Sequence, residues 1–323
     1  MIIDSYIAYI RDVRRYSVRT QDIYAASLEQ FRNFVEASSD EGLTASLTPS
    51  LIRSYEVMLM DSMGNSPRTV NLHLSVLSGF CRWLLAAGLL KSNPVKLVSR
   101  PKQPGRLPDF YRREALEKYL ERTAAYGSEE TLQLITGTDE VSRGVYEHRL
   151  RRLIVVLLYS TGIRRSELIS LTVGSVDMGR GVMHVRGKGD KMREIPLLPS
   201  LCEEISLYSR SRVLLTGRER TAGEPLLQTF KGGKLYPVFV DRAVKEELGQ
   251  EEMITGRKSP HVLRHTLATE LLDEGSDLNS IKELLGHSSL AATQVYTHNS
   301  VEKLKSVYMN AHPRAKNGGK NGD

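Results

Sequence analysis

A chain of 323 residues, 40% of them hydrophobic, is long enough for about two compact units of roughly 150 residues each and too long to be one small stapled domain. Its 45 lysines and arginines against 38 acids leave a net charge of +7, a modest excess whose distribution says more than its total. The longest apolar run, Leu153 to Tyr159, falls far short of the ~20 residues of a bilayer-crossing helix. The start, MIIDSYIAYIRD, lacks signal-peptide order, and two cysteines, Cys81 and Cys202, form no framework. The expectation is a cytoplasmic protein with no membrane partner.

In chain order, residues 1–93 read as a small helical domain of about four helices. Tyr24, Leu28, Phe31 and Val35 recur at spacings of four and three, one face of an amphipathic helix, with Thr20 as its expected N-cap. A further helix is punctuated by Ser66 as cap, Pro67 at the first position and Gly88 at the end. Val70, Leu74, Leu77, Cys81 and Leu84 are its buried side. Thr48 and Pro49 open another helix.

From Asn93 the pattern dissolves, and residues 94–108 read as a proline-rich linker. Lys91 to Arg106 holds five basic residues and no acid, either a spacer or a strap along phosphates through Arg100, Lys102 and Arg106. Residues 109–311 form a larger unit. It opens with helical sequence through Thr123, followed by a polar, weakly patterned stretch over 124–147. A buried helix covers Leu153 to Leu158. Val182, His184 and Arg186 alternate, the pattern resumes over Arg193 to Leu198, and GKGDK supplies the turn between them, so one hairpin is expected. Helices follow to Met309, the last of them, Val301 to Met309, with an apolar stripe. The tail, 312–323, is polar and glycine-rich and reads as disordered.

Four fragments of the larger unit carry chemistry. In STGIRRSEL, Gly162 breaks a helix and Arg164 follows, with Glu167 three residues on; the arginine either points its fork at an oxyanion or forms a buried ion pair with Glu167. In GKGDK, Lys188 sits between two glycines, presented to a groove or simply solvated. In SPHVLRHTLATELLDEG, Ser259 and Pro260 start a helix whose His261, Arg264 and His265 share one face and suit a phosphate. A zinc pair at His261 and His265 is the rival, although Val262 stands where a metalloprotease would have its glutamate. In LLGHSSLAATQVYTH, Gly286 ends a helix, His287 follows, and Tyr296 comes after a run of small residues.

In this order, the fragments resemble the tyrosine recombinase (phage integrase) family, nearest to its Xer-type site-specific recombinases. RTVNLHLSVLSGFCRWLLAAGLLKSNP is similar to the last helix of that family's core-binding domain. The resemblance implies a mainly α fold, a helical SAM-like core-binding domain joined to a mostly helical catalytic domain with a small β-sheet, closing on DNA as a C-shaped clamp. It makes Tyr296 the nucleophile, Arg164 and Arg264 the clamp on the scissile phosphate, His261 and His287 donors to its oxygens and Lys188 the general acid. Glu167 and His265 would support the two arginines from within one helical turn.

The residue types suit that chemistry, because charge builds on the phosphate oxygens in the transition state and arginine and imidazole donors offset it. A phosphotyrosine link conserves the bond energy for rejoining, so no ATP, metal or other cofactor is called for. The expected partners are double-stranded DNA with paired half-sites and further copies of the chain, assembled as a tetramer alone or with a related recombinase. A non-catalytic DNA-binding regulator and a type IB topoisomerase are the alternative functions. The regulator would have lost nucleophile or clamp, and all six expected positions are filled.

Overall fold

The computed structural model describes residues 1–103, 109–187 and 190–286. The chain divides into two units, Met1–Arg106 and Leu107–Asp323, each with its own apolar core. Among the described residues no helix is long and apolar enough to cross a membrane.

The first unit contains five α-helices: α1 (Ile2–Asp12), α2 (Val18–Phe34), α3 (Asp40–Ala45), α4 (Pro49–Val57), which runs on as a π-helical turn at Met58–Ser62, and α5 (Pro67–Ala86). Ile3, Tyr6 and Ile10 of α1 pack with Leu28 and Phe31 of α2, and all five positions read as the buried side of α5 are buried. Ser66 caps α5, its Oγ accepting from Thr69 N at 3.3 Å, and Gly88 takes the left-handed φ of +72° just past its end. The cap of α2 is Ser17 rather than Thr20. The Ser17 hydroxyl accepts from Thr20 N, so the helix begins before the residue that looked like its start, and Thr20 is the amide being capped.

The linker also begins later than its composition indicates. Pro94–Leu97 forms a 3₁₀ turn, and Val95 and Val98 are buried in the core of the first unit. Asn93 holds this turn, accepting from Val95 N at 3.1 Å and donating to Ser78 O at 3.2 Å. Farther on, Arg100 donates to Ser75 Oγ and Asn71 donates to Pro101 O, both at 2.9 Å, so the basic strap lies along α5. Lys102 is exposed, and Arg106 lies outside the described residues.

The second unit is built round α7 (Glu140–Thr161), buried at almost every position from Leu150 to Thr161. Before it come α6 (Arg113–Arg122) and two 3₁₀ turns; after it come α8 (Arg165–Ser170) and the sheet, then α9 (Pro199–Thr216), α10 (Pro237–Gly249), α11 (Pro260–Asp273) and α12 (Leu278–Leu285). Helices α9, α10 and α11 all pack on α7. The sheet is antiparallel, in the order β1 (Val176–Asp177), β2 (Val182–Arg186), β3 (Met192–Pro196). Met183 pairs with Ile195 and Val185 with Arg193, and these four residues are buried. The hairpin is where the alternation placed it, but β1 has two residues, too few for alternation to show.

Residues 124–147 prove to be structured. The last eight are the first two turns of α7, capped by Asp139, which accepts from Ser142 N at 2.9 Å. Two buried arginines of α7 hold the earlier part and the end of α6 that leads into it. Arg149 donates to Ser128 O at 2.9 Å and Thr131 Oγ1 at 2.7 Å. Arg152 donates to Leu120 O and Thr123 Oγ1 and pairs with Glu204 at 3.1 Å. Charged residues facing inward on α7 interrupt the apolar periodicity, and so its start is hidden in the sequence. The expected helix at Val301 to Met309 and the tail lie outside the described residues.

Candidate active site

Helix α7 stops at Gly162, whose φ is +61° and whose position leaves no room for a side chain, since a Cβ would lie 2.5 Å from Leu285 Cδ2. The chain turns there, and Arg164 becomes the residue flanking α8. Glu167, in the first turn of α8, accepts from Arg164 N at 2.8 Å and from Arg164 Nη1 at 2.7 Å. The expected ion pair forms, with Glu167 4% exposed and the Arg164 side chain 32% exposed.

Glu167 also binds Arg193 of β3, which donates Nη1 and Nη2 to its two oxygens at 3.1 and 2.8 Å. Burial pulls the Glu167 carboxyl towards protonation, but the hydrogen bonds from Arg193 and Arg164 outweigh it and hold its pKa below the usual range.

Helix α12 ends in the same place. A helix C-terminus leaves its last carbonyls without intrahelical partners and carries partial negative charge. Here three successive carbonyls are taken by three arginines from three elements. Leu284 O accepts from Arg193 Nε at 3.0 Å, Leu285 O from Arg264 Nη2 at 2.6 Å, and Gly286 O from Arg164 Nη2 at 2.9 Å. Arg264 also donates to Gly162 O at 2.5 Å, which ties α11 to the end of α7. Its pKa is lowered to about 10 by burial and by Arg164 and Arg193, against the pull of Glu167, so it is charged at neutral pH.

The face expected to join His261, Arg264 and His265 divides by burial. Arg264 is buried while both histidines are exposed, because α11 turns Leu263, Arg264 and Leu267 towards α7 and α12. Partial burial, then the charges of Arg165, Arg257, Arg264 and His265, hold His261 below the ordinary imidazole pKa. Among the described residues no three His, Cys, Asp or Glu side chains form a group that could hold a metal.

Beside His261 opens a cleft of about 490 Å³ lined by Arg165, Arg242, Lys245, Arg257 and Lys258, with Asp241 its one acid, and that acid is paired with Arg165. The sequence reading missed this cleft, because its residues come from α8, α10 and the approach to α11 and make no local run. It missed Arg193 as well. A signal was available there: an arginine whose strand neighbour two places on is the apolar Ile195 is on the inward face. Lys188, His287 and Tyr296 lie outside the described residues; His287 is the residue following Gly286 in the chain.

Residues 113–303 match the phage integrase family, and residues 3–88 match the phage integrase N-terminal SAM-like domain. The tyrosine recombinase XerC of Bacillus licheniformis is 36% identical, the alignment covering 97% of this chain and 96% of the relative. XerC of Chlorobaculum tepidum is 31% identical over 96% and 94%. Among solved structures, XerH site-specific recombinase bound to palindromic difH substrate in a post-cleavage complex superposes with a TM-score of 0.64 at 19% identity, over 95% of this chain and 83% of that one. A lambda integrase dimer bound to a COC′ core site gives 0.61 at 18% identity, over 100% and 78%. These two structures share the fold of this chain, mainly α with a small sheet.

Proposed function

The chain belongs to the phage integrase family and is a DNA strand-cleaving and rejoining enzyme, and from that premise we propose how its residues divide the work. Tyr296 attacks the scissile phosphate and forms a 3′-phosphotyrosyl link while the 5′ oxygen leaves with a proton from Lys188. Arg164 and Arg264 bind the non-bridging oxygens, aided by His261 and His287. Reversal, with a 5′ hydroxyl from a different strand, completes the exchange. The observation that carries this reading is the convergence of Arg164 and Arg264, 100 residues apart in sequence, on the adjacent carbonyls of Gly286 and Leu285. Two guanidiniums fixed side by side before substrate arrives are preorganised donors for the charge that develops on a phosphorane.

Glu167 supports Arg164 by direct contact. His265 is exposed, and its support of Arg264 extends through the helix they share. The first unit grips the duplex with Arg100, Lys102 and Arg106; the basic cleft beside His261 takes backbone phosphates flanking the cut. Assembly is on paired half-sites, as a tetramer of this chain or of this chain with a related recombinase, acting in the cytoplasm.

The direct test is a nicked, labelled duplex carrying the chain's recombination site. Wild type should leave a denaturation-resistant protein–DNA adduct, and Tyr296→Phe should bind the same duplex but form none. An adduct surviving in Tyr296→Phe would place the nucleophile elsewhere.

A further inference from the structure

The three carbonyls that end α12 are occupied by Arg164, Arg264 and Arg193, and the function proposed above uses two of these arginines. The third is buried at 6% exposure and lies on β3, where a strand interior has no intrinsic need for charge. All three of its donor nitrogens are engaged: Nη1 and Nη2 on Glu167, Nε on Leu284 O. Glu167 in turn fixes both the backbone N–H and Nη1 of Arg164. Gly286, with φ of +66°, packs its Cα against the Arg193 guanidinium so closely that a Cβ would sit 3.1 Å from that group's central carbon. Arg193 therefore touches, in one rigid fork, the residue that orients Arg164 and the turn whose oxygens hold Arg164 and Arg264.

We propose that Arg193 is a positioning residue for cleavage: it fixes Glu167 and the Leu284–Gly286 turn, and through them it sets the direction and spacing of the two arginines that receive the scissile phosphate. This rests on Arg164 and Arg264 being that clamp. Lysine cannot replace it, since one ammonium lacks the planar fork that spans a carboxylate and reaches a carbonyl from its third nitrogen. A loss of about 1 Å in the placement of a clamp group is enough to slow a reaction by about 10²-fold.

The test compares single-turnover cleavage of two nicked substrates, one with the natural scissile phosphodiester and one with a methylphosphonate there, which lacks one negative oxygen and needs less help from the clamp. Arg164→Ala serves as reference. Arg193→Lys should bind DNA as wild type does, cleave the phosphodiester at least tenfold more slowly, and recover most of that loss on the methylphosphonate, as Arg164→Ala does. The ratio of the two rates comes from one preparation, so it is unaffected by how much of the variant is folded. An equal deficit on both substrates, or no deficit, overturns the proposal while Arg164→Ala still shows relief. If Arg164→Ala shows none, the clamp assignment itself has failed.

Discussion

The two units bury their interiors in different ways. Among the described residues, the first buries one arginine, Arg32, and no glutamate, and it fills its core with aromatic contacts such as Tyr6 with Phe80 and Trp83. The second buries Arg149, Arg152, Arg193, Arg212 and Arg264 with Glu167, Glu204 and Glu247. Burying a charge costs several kcal/mol unless geometry is excellent, and a hydrophobic replacement is often no less stable. The excess of buried arginine in the second unit is thus not explained by stability alone. Part of it braces loops, as Arg149 and Arg152 do, and part converges on the end of α12.

Substitutions separate these two roles. The largest effect is expected for Arg264→Ala or Arg164→Ala: each should lower cleavage by ~10²-fold or more, the scale for losing one oxyanion donor, with DNA binding retained. Gel-shift and adduct assays on the same preparations check it, and near-normal cleavage would reduce that arginine to a structural role. Next comes Arg152→Ala, which removes a buried ion pair with Glu204 and the donors to Leu120 O and Thr123 Oγ1 and should destabilise the second unit by about 3 kcal/mol. Trp83 is the one tryptophan and belongs to the first unit, so its fluorescence transition should stay in place while the far-ultraviolet dichroism midpoint falls. Movement of the Trp83 transition would mean that the two cores do not unfold separately.

A smaller effect is expected at Glu270 of α11. Burial raises its pKa to about 7, despite the hydrogen bond from Tyr159 and the charge of Arg113. A carboxyl with a raised folded-state pKa costs nothing below its unfolded value near 4.5 and weakens the fold as pH rises towards and past 7. Glu270→Gln should therefore match wild type at pH 4.5 and be more stable at pH 8, by on the order of 1–2 kcal/mol. Denaturant melts at the two pH values decide it, and an equal gain at both would show that ionisation is not the cause.

What the sequence disclosed follows the range over which each feature is encoded. The caps at Ser66 and Pro67, the turn at Gly162, the hairpin and the four fragments are local strings, and all are read within a few residues. The start of α7 escaped because Arg149 and Arg152 look like solvent-facing positions until Ser128, Thr131 and Glu204 are seen around them. Arg193 escaped because its partner Leu284 is 91 residues away. The basic cleft escaped for the same reason: its charges come from separate elements and meet only in the fold. Alternation could place Arg193 on a strand, but only the folded chain says which carbonyl it meets.

The end of α12 has one further consequence. A helix C-terminus carries about half a negative charge, and here it faces three guanidiniums, from the residue that precedes α8, from α11 and from β3. It acts as a resident partial anion, keeping like charges gathered inside the fold. After burial, repulsion from Arg164 and Arg193 is what lowers the pKa of Arg264, and this repulsion is met during folding. An apolar residue in place of Arg264 would relieve that repulsion but leave Gly162 O and Leu285 O without their donor.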